Sequence, residues 1–238
     1  MKIRVIQQEE WLDGGEYISW AKRNNYQVLF TKCFEYDPMP QEVDADMLLV
    51  LGGLQNPETA LEECPFFDAK KERELIGKYI DNNRIVIGTC LGSQLIGEAL
   101  GIKYLHSPYP EIGYVKGIIT SEGRKDKHFQ VFPDELLIGE WHFDMPGINE
   151  NTLILMESEG CPRQAVKYSR FVYGFQAHFE FQHQSYVNGV AHCGSLDHID
   201  SPYINSAEEM LSFDTSLMNK CLSDFLDSIV DEYLNDAI

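Results

Sequence analysis

The chemistry this sequence offers most directly is a sulfur nucleophile with an imidazole base. Cys90 lies in Ile85-Val-Ile-Gly-Thr-Cys-Leu-Gly-Ser-Gln94, where an apolar run meets Gly88-Thr-Cys-Leu-Gly92 and then a helical pattern. That order is the G-x-nucleophile-x-G turn, with sulfur in place of oxygen. The turn is sharp and strained, so the residues beside the nucleophile must lack Cβ atoms. The thiolate is the attacking species, and a helix N-terminus favours it. The backbone N–H of Leu91 then points to where an oxyanion develops. A buried structural thiol is the ordinary alternative for a free cysteine, and the two flanking glycines weigh against it.

A thiol nucleophile needs a base, and the base a partner that orients it. Phe171-Val-Tyr-Gly-Phe-Gln-Ala-His-Phe-Glu180 reads by composition as a strand, and its two-residue alternation puts His178 and Glu180 on one face. The imidazole would take the thiol proton and later protonate the leaving group, while the carboxylate fixes its tautomer. A third element is Leu48-Leu-Val-Leu-Gly-Gly-Leu54. A parallel strand ending in glycines exposes N–H groups at its carboxyl end, where α/β sheets bind ligands. The Gly53 N–H is therefore expected to pair with that of Leu91 as an oxyanion hole; a plain turn is the alternative.

Parallel strands joined by helices would position these groups. Lys2–Ile6, Tyr26–Thr31, Met47–Leu51 and Arg84–Ile87 read as strands. Glu16–Asn24, Asp68–Asp81 and Leu91–Leu100 read as amphipathic helices between them, which implies right-handed βαβ crossovers. From Ile102 to about Ser169 the pattern changes: Val115–Thr120, Leu136–Ile138 and Thr152–Met156 are strand-like and suggest a mixed edge. Apolar pairs recur every four residues from about Ser206 to Leu234, and Ser206 with Glu209 forms a capping-box pattern. The expectation is one domain over residues 1–238 with a C-terminal helical extension at about 203–236.

The 238 residues carry 19 Lys plus Arg against 38 Asp plus Glu, a formal charge of −19. Such an acid surplus argues against nucleic-acid and anionic-membrane partners, both of which need positive charge. No apolar run approaches a membrane span of about 18 residues, and the six scattered cysteines do not read as a disulfide framework. The first residues do not resemble a signal peptide, so the expected compartment is the cytoplasm.

Taken in order, Gly52-Gly53, Gly88-Thr-Cys-Leu-Gly-Ser-Gln94 and His178-Phe-Glu180 resemble the class I (triad-type) glutamine amidotransferase family, in its free-standing GMP-synthase-like branch. The resemblance covers roughly three quarters of the chain. It implies a three-layer flavodoxin-like α/β fold: an open, mostly parallel sheet with an antiparallel edge and helices on both faces. It makes Cys90 the nucleophile, His178 the acid–base and Glu180 its orienter, with an oxyanion hole at Gly53 and Leu91. It assigns substrate contacts to Gly52, Gln94 and the Trp141-His142-Phe143-Asp144 segment, and Glu111-Ile-Gly113 resembles a recurrent family segment. Phe179 and Leu54 stand where the family commonly has proline.

The implied activity is hydrolysis of the glutamine side-chain amide through a cysteinyl thioester, with ammonia released or passed to a separate synthetase. No synthetase domain follows Glu180 in this sequence, which favours as an alternative a stand-alone γ-glutamyl peptide or amide hydrolase. A cysteine-based redox sensor is a third reading, against which the late His178/Glu180 pair argues. No cofactor is implied. His178, His183, His192, Cys193 and His198 crowd together, but not at the spacing of a zinc site, so no metal is expected. His142 is either a substrate contact or a satisfied loop histidine, and the polar surroundings of His106 and His128 place both at the surface.

Overall fold

The computed structural model describes residues 1–196 and 198–236. Its first half alternates strand and helix: β1 (Lys2–Gln7), α1 (Gly15–Arg23), β2 (Gln27–Lys32), β3 (Met47–Val50), α2 (Ala69–Asp81), β4 (Ile85–Thr89) and α3 (Leu91–Ala99). There follow β5 (Leu105–Ile119), the short α4 (Ser121–Lys125), β6 (Glu135–Met145), β7 (Leu153–Glu157), β8 (Ala165–Ser169), β9 (Val172–Phe175), α5 (His183–Cys193), α6 (Ala207–Ser212) and α7 (Ser216–Asp236).

The strands form one open sheet in the order β2-β1-β3-β4-β9-β8-β7-β5-β6. The pairings from β2 to β9 are parallel, and those from β9 to β6 are antiparallel. This is the flavodoxin-like α/β fold with an antiparallel region four strands wide. Central strands are buried on both sides, and their alternate residues feed two cores. Ile3, Leu49, Ile87 and Tyr173 pack with Tyr17 and Trp20 of α1 and Phe225 of α7. Leu48, Val50, Val86 and Val172 pack on the other face with Leu75 and Tyr79 of α2 and Leu95 of α3.

Several sequence expectations are corrected. The strand expected over Phe171–Glu180 ends at Phe175, because Gln176 and Ala177 both donate their backbone N–H to Gln164 O and the chain leaves the ladder. His178 and Glu180 are therefore loop residues, and strand alternation is not what brings them together. The short strands expected at Val115–Thr120 and Leu136–Ile138 are parts of the long β5–β6 pair, whose register shifts between His106 and Glu111. The C-terminal stretch is two helices. α6 has the expected Ser206/Glu209 capping box, and a break follows at Phe213, with the Asp214 carboxylate accepting the Ser216 N–H. His128 is buried: its ring meets Ser228 and Glu232 of α7, and the neighbouring lysines had disguised this.

Candidate active site

The turn after β4 needs its glycines for a measurable reason. A Cβ at Gly88 would lie 2.3 Å from Gly92 O, and one at Gly92 would lie 2.0 Å from Val50 O. Any side chain would force β4, α3 and β3 apart. Between these glycines Cys90 has φ 51° and ψ −114°, a left-handed backbone that costs a non-glycine residue roughly 1–3 kcal/mol. The rest of the fold holds it there: Cys90 N–H donates to Phe175 O at 2.7 Å, and Cys90 O accepts from Ser93 N–H at 2.9 Å. The thiol is buried and lies 3.8 Å from Trp141 O on β6.

His178 is brought to the same point by the loop that follows β9, the strand next to β4 in the sheet. Its N–H donates to Gly139 O at 2.8 Å, and its ring stacks on Phe181 with centroids 4.0 Å apart. Nδ1 meets Glu180 Oε1 at 2.7 Å, leaving Nε2 to face the cysteine. Gly52 sits between the two: a Cβ there would be 3.2 Å from His178 Cε1 and 3.4 Å from Cys90 Cβ. Burial opposes charge on this imidazole, but the Glu180 carboxylate and a hydrogen bond with Cys90 outweigh it and hold the ring protonated, up to about 10. Gly53 adjoins the first turn of α3, where a Cβ would come within 3.0 Å of Leu91 Cδ2. Ser93 and Gln94 N–H both return to Cys90 O, which leaves the N–H groups of Leu91 and Gly92 without a partner in the helix and available to an oxygen at this end of α3.

These groups open into a cavity of about 490 Å³. Gln94 lines it; its amide donates to Gln176 Oε1 at 3.1 Å, while its own Oε1 is buried without a hydrogen-bond partner. Trp141, Phe143 and Asp144 also line it, with Phe143 half exposed and Asp144 paired to the exposed His106 at 2.6 Å. His142 touches the cavity too, yet its Nε2 is taken by Glu111 Oε2 and Glu140 Oε2, each at 3.1 Å. Sequence reasoning missed Trp11 and Leu12 after β1, and Leu196 and Ile199 beyond α5. No local motif marks them; only the tertiary fold gathers them.

Behind the cavity lies a second histidine–carboxylate cluster. Glu111 and Glu140 are fully buried, and Ser158 Oγ donates to Glu111 Oε1 at 2.7 Å. Burial disfavours charge on His142, but the two carboxylates overcome it and raise the imidazole to about 10; burial lifts Glu140 to about 7. Among the described residues, Glu111, His142 and Cys161 are the one group whose donor atoms lie close enough to share a metal, within 4.8 Å of one another. Nε2 of His142 there already faces the Glu111 and Glu140 carboxylates, its Nδ1 is buried without a hydrogen-bond partner, and burial pushes the Cys161 thiol up to about 12. His192, one of the crowded histidines, instead stacks on Trp11. All six cysteines are free, and no helix among the described residues is long and apolar enough to cross a membrane.

Comparison with known proteins gives a consistent picture. The model of the glutamine amidotransferase class-I family matches residues 21–190. The chain is 40% identical to the glutamine amidotransferase-like protein YfeJ of Salmonella typhimurium, over 96% of this chain and 97% of that one. It is 30% identical to one component of the glutamine-hydrolysing GMP synthase of Pyrococcus abyssi, covering 52% of this chain and 68% of that one. The crystal structure of SMU.1228c superimposes with a TM-score of 0.94 at 39% identity, covering 97% of this chain and all of that one.

Proposed function

The chain belongs to the glutamine amidotransferase class-I family, and from that premise we propose that it hydrolyses the side-chain amide of glutamine or another γ-glutamyl compound through a thioester on Cys90. The observation that carries the reading is the convergence at Gly52 of a strained cysteine and a histidine whose other nitrogen is held by Glu180. Cys90 sulfur attacks the amide carbon, and the oxyanion is stabilised by N–H groups at Gly53 and Leu91. His178 protonates the departing nitrogen; it then takes a proton from water as that water attacks the thioester, releasing glutamate and freeing the thiol. Losing one oxyanion donor in such a site typically costs about 10²–10³ in rate.

Gly52, Gln94, Trp141, His142, Phe143 and Asp144 would shape the bed of the γ-glutamyl head group. His142 would do so through its place on β6, since its Nε2 is already engaged. The family resemblance and the likeness to a GMP synthase component support a separate ammonia-accepting synthetase as partner; the apolar breadth of the cavity supports a hydrolase that works alone. The acidic chain and its scattered, unpaired cysteines fit a cytoplasmic enzyme without a nucleic-acid partner. The test is ammonia release from L-glutamine by the purified chain, with Cys90→Ala as control. Glutamate-plus-ammonia formation that needs Cys90 supports the reading; equal turnover by the variant removes it.

A further inference from the structure

The cavity is broader than a glutamine side chain needs. At about 490 Å³ it falls within the range of pockets that bury drug-sized ligands, about 300–1,000 Å³. Its walls also differ in character. Polar groups that suit an amino-acid head group, Gln94 and Asp144, lie on α3 and β6. β6 adds the rings of Trp141 and Phe143 beside them, and a second set of rings lies on the His178 side. Phe181 stacks on His178, and the start of α1, which follows the loop carrying Trp11, is tied to the same corner, because Glu16 N–H donates to Glu180 O at 2.9 Å. Trp11 is fixed in turn: Asn188 Nδ2 donates to its carbonyl at 3.3 Å, Asn188 O meets His192 Nδ1 at 2.8 Å, and the Trp11 and His192 rings stack at 5.1 Å with planes 10° apart.

Position decides which part of a substrate meets that wall. The nitrogen that leaves must sit beside the group that protonates it, His178, so whatever that nitrogen carries extends toward Phe181, Trp11 and His192. Ammonia leaves this wall empty. We infer that the amide cleaved is a γ-glutamyl amide of an arylalkylamine, its ring seated against the Trp11–His192 pair. The inference rests on the reading of Cys90 as nucleophile and His178 as acid. The step balances as before: the C–N bond breaks as C–S forms, His178 delivers the proton to nitrogen, and water then splits the thioester to glutamate.

The test compares kcat/KM of the full chain for γ-L-glutamyl-benzylamide, γ-L-glutamyl-methylamide and L-glutamine. The two substituted amides share a similar leaving amine, so their ratio reports the ring. A benzylamide preference of at least about tenfold is expected, the size that burying one ring supplies. Trp11→Ala should cut that ratio to about threefold or less, while Trp11→Phe, which restores a ring, keeps it. A ratio near one, or a preference that survives Trp11→Ala, overturns the inference. If glutamine is still hydrolysed in a Cys90-dependent way, that failure leaves the proposed function standing. Failure of all three substrates, with Cys90 inert toward a glutamine-like electrophile, overturns both.

Discussion

Two buried histidine–carboxylate clusters adjoin the cavity, and their electrostatics are nearly alike. His178 meets Glu180, and His142 meets Glu111 and Glu140; both imidazoles are buried, and both are held protonated up to about 10 by their carboxylates against burial. What separates them is the neighbour on the remaining side. His178 keeps one nitrogen for Cys90 at the cavity floor, whereas the Nε2 of His142 is enclosed by two acids. A perturbed histidine marks a reactive centre only when a nucleophile and an open space adjoin it.

The largest effects should fall on the cluster that faces sulfur. Cys90→Ala should lower amide hydrolysis by about 10⁴-fold or more, read as steady-state ammonia or amine release. His178→Gln removes the proton carrier and should cost about 10²–10⁴ in kcat. Glu180→Gln keeps the shape but loses the charge that orients the ring, so a loss of about 10²-fold or more is expected. If Glu180→Gln were silent, the orienting role would pass to other contacts of the His178 ring, such as Phe181.

The cluster around His142 should respond in stability. His142→Gln leaves Glu111 and Glu140 facing each other without the positive charge between them, and breaking a buried pair from one side costs about 3–5 kcal/mol. Thermal melting should show that loss while glutamine kcat/KM moves by much less than in His178→Gln. A kinetic loss as large as that of His178→Gln, with the melting temperature unchanged, would erase the distinction between the clusters.

The smallest effects concern pH. Both histidines have folded values raised to about 10, so the stability they add is complete below about 6.5 and is lost as pH rises through about 10. Glu72 acts in the same direction: burial raises it to about 8, so the fold favours its protonated form and loses stability as pH climbs from about 4.5 to about 8. Glu72→Gln, which keeps a neutral group beside Gln8, should therefore raise the melting temperature near pH 9 and change it little near pH 5. A gain of equal size at both pH values would show that Glu72 acts through packing instead.

How much of this was legible in the sequence depended on the range of the forces involved. The Cys90 turn was legible because Gly88 and Gly92 flank the nucleophile in the chain, although the backbone that requires Gly92 is Val50 O on β3 and only the approach at Gly88 is local. The proximity of His178 and Glu180 was also legible, but for the wrong reason: alternation along a strand was expected, and a loop tied to Gly139 O provides it. The length of β5 was hidden by Pro108 and Pro110, which fall in its register shift, and by Gly113 and Gly117, which read as breaks but stay paired with Glu140 and Leu136 of β6. α5 went unread because His183–Cys193 has little apolar stripe; its start is set by a Gln182/Ser185 capping box, and its face by Trp141 lying over Gly189. The Trp11–His192 wall joins residues far apart in the chain, and only the tertiary fold brings them together.

The most direct test of Cys90 as the nucleophile is reaction of the intact chain with a glutamine-like electrophile, such as a diazoketone analogue, followed by peptide mass mapping. The expected result is a single stoichiometric adduct on Cys90 that glutamine suppresses, absent from Cys90→Ala and much slower to form in His178→Gln. Modification spread over several of the six cysteines, or unchanged by loss of His178, would contradict that role.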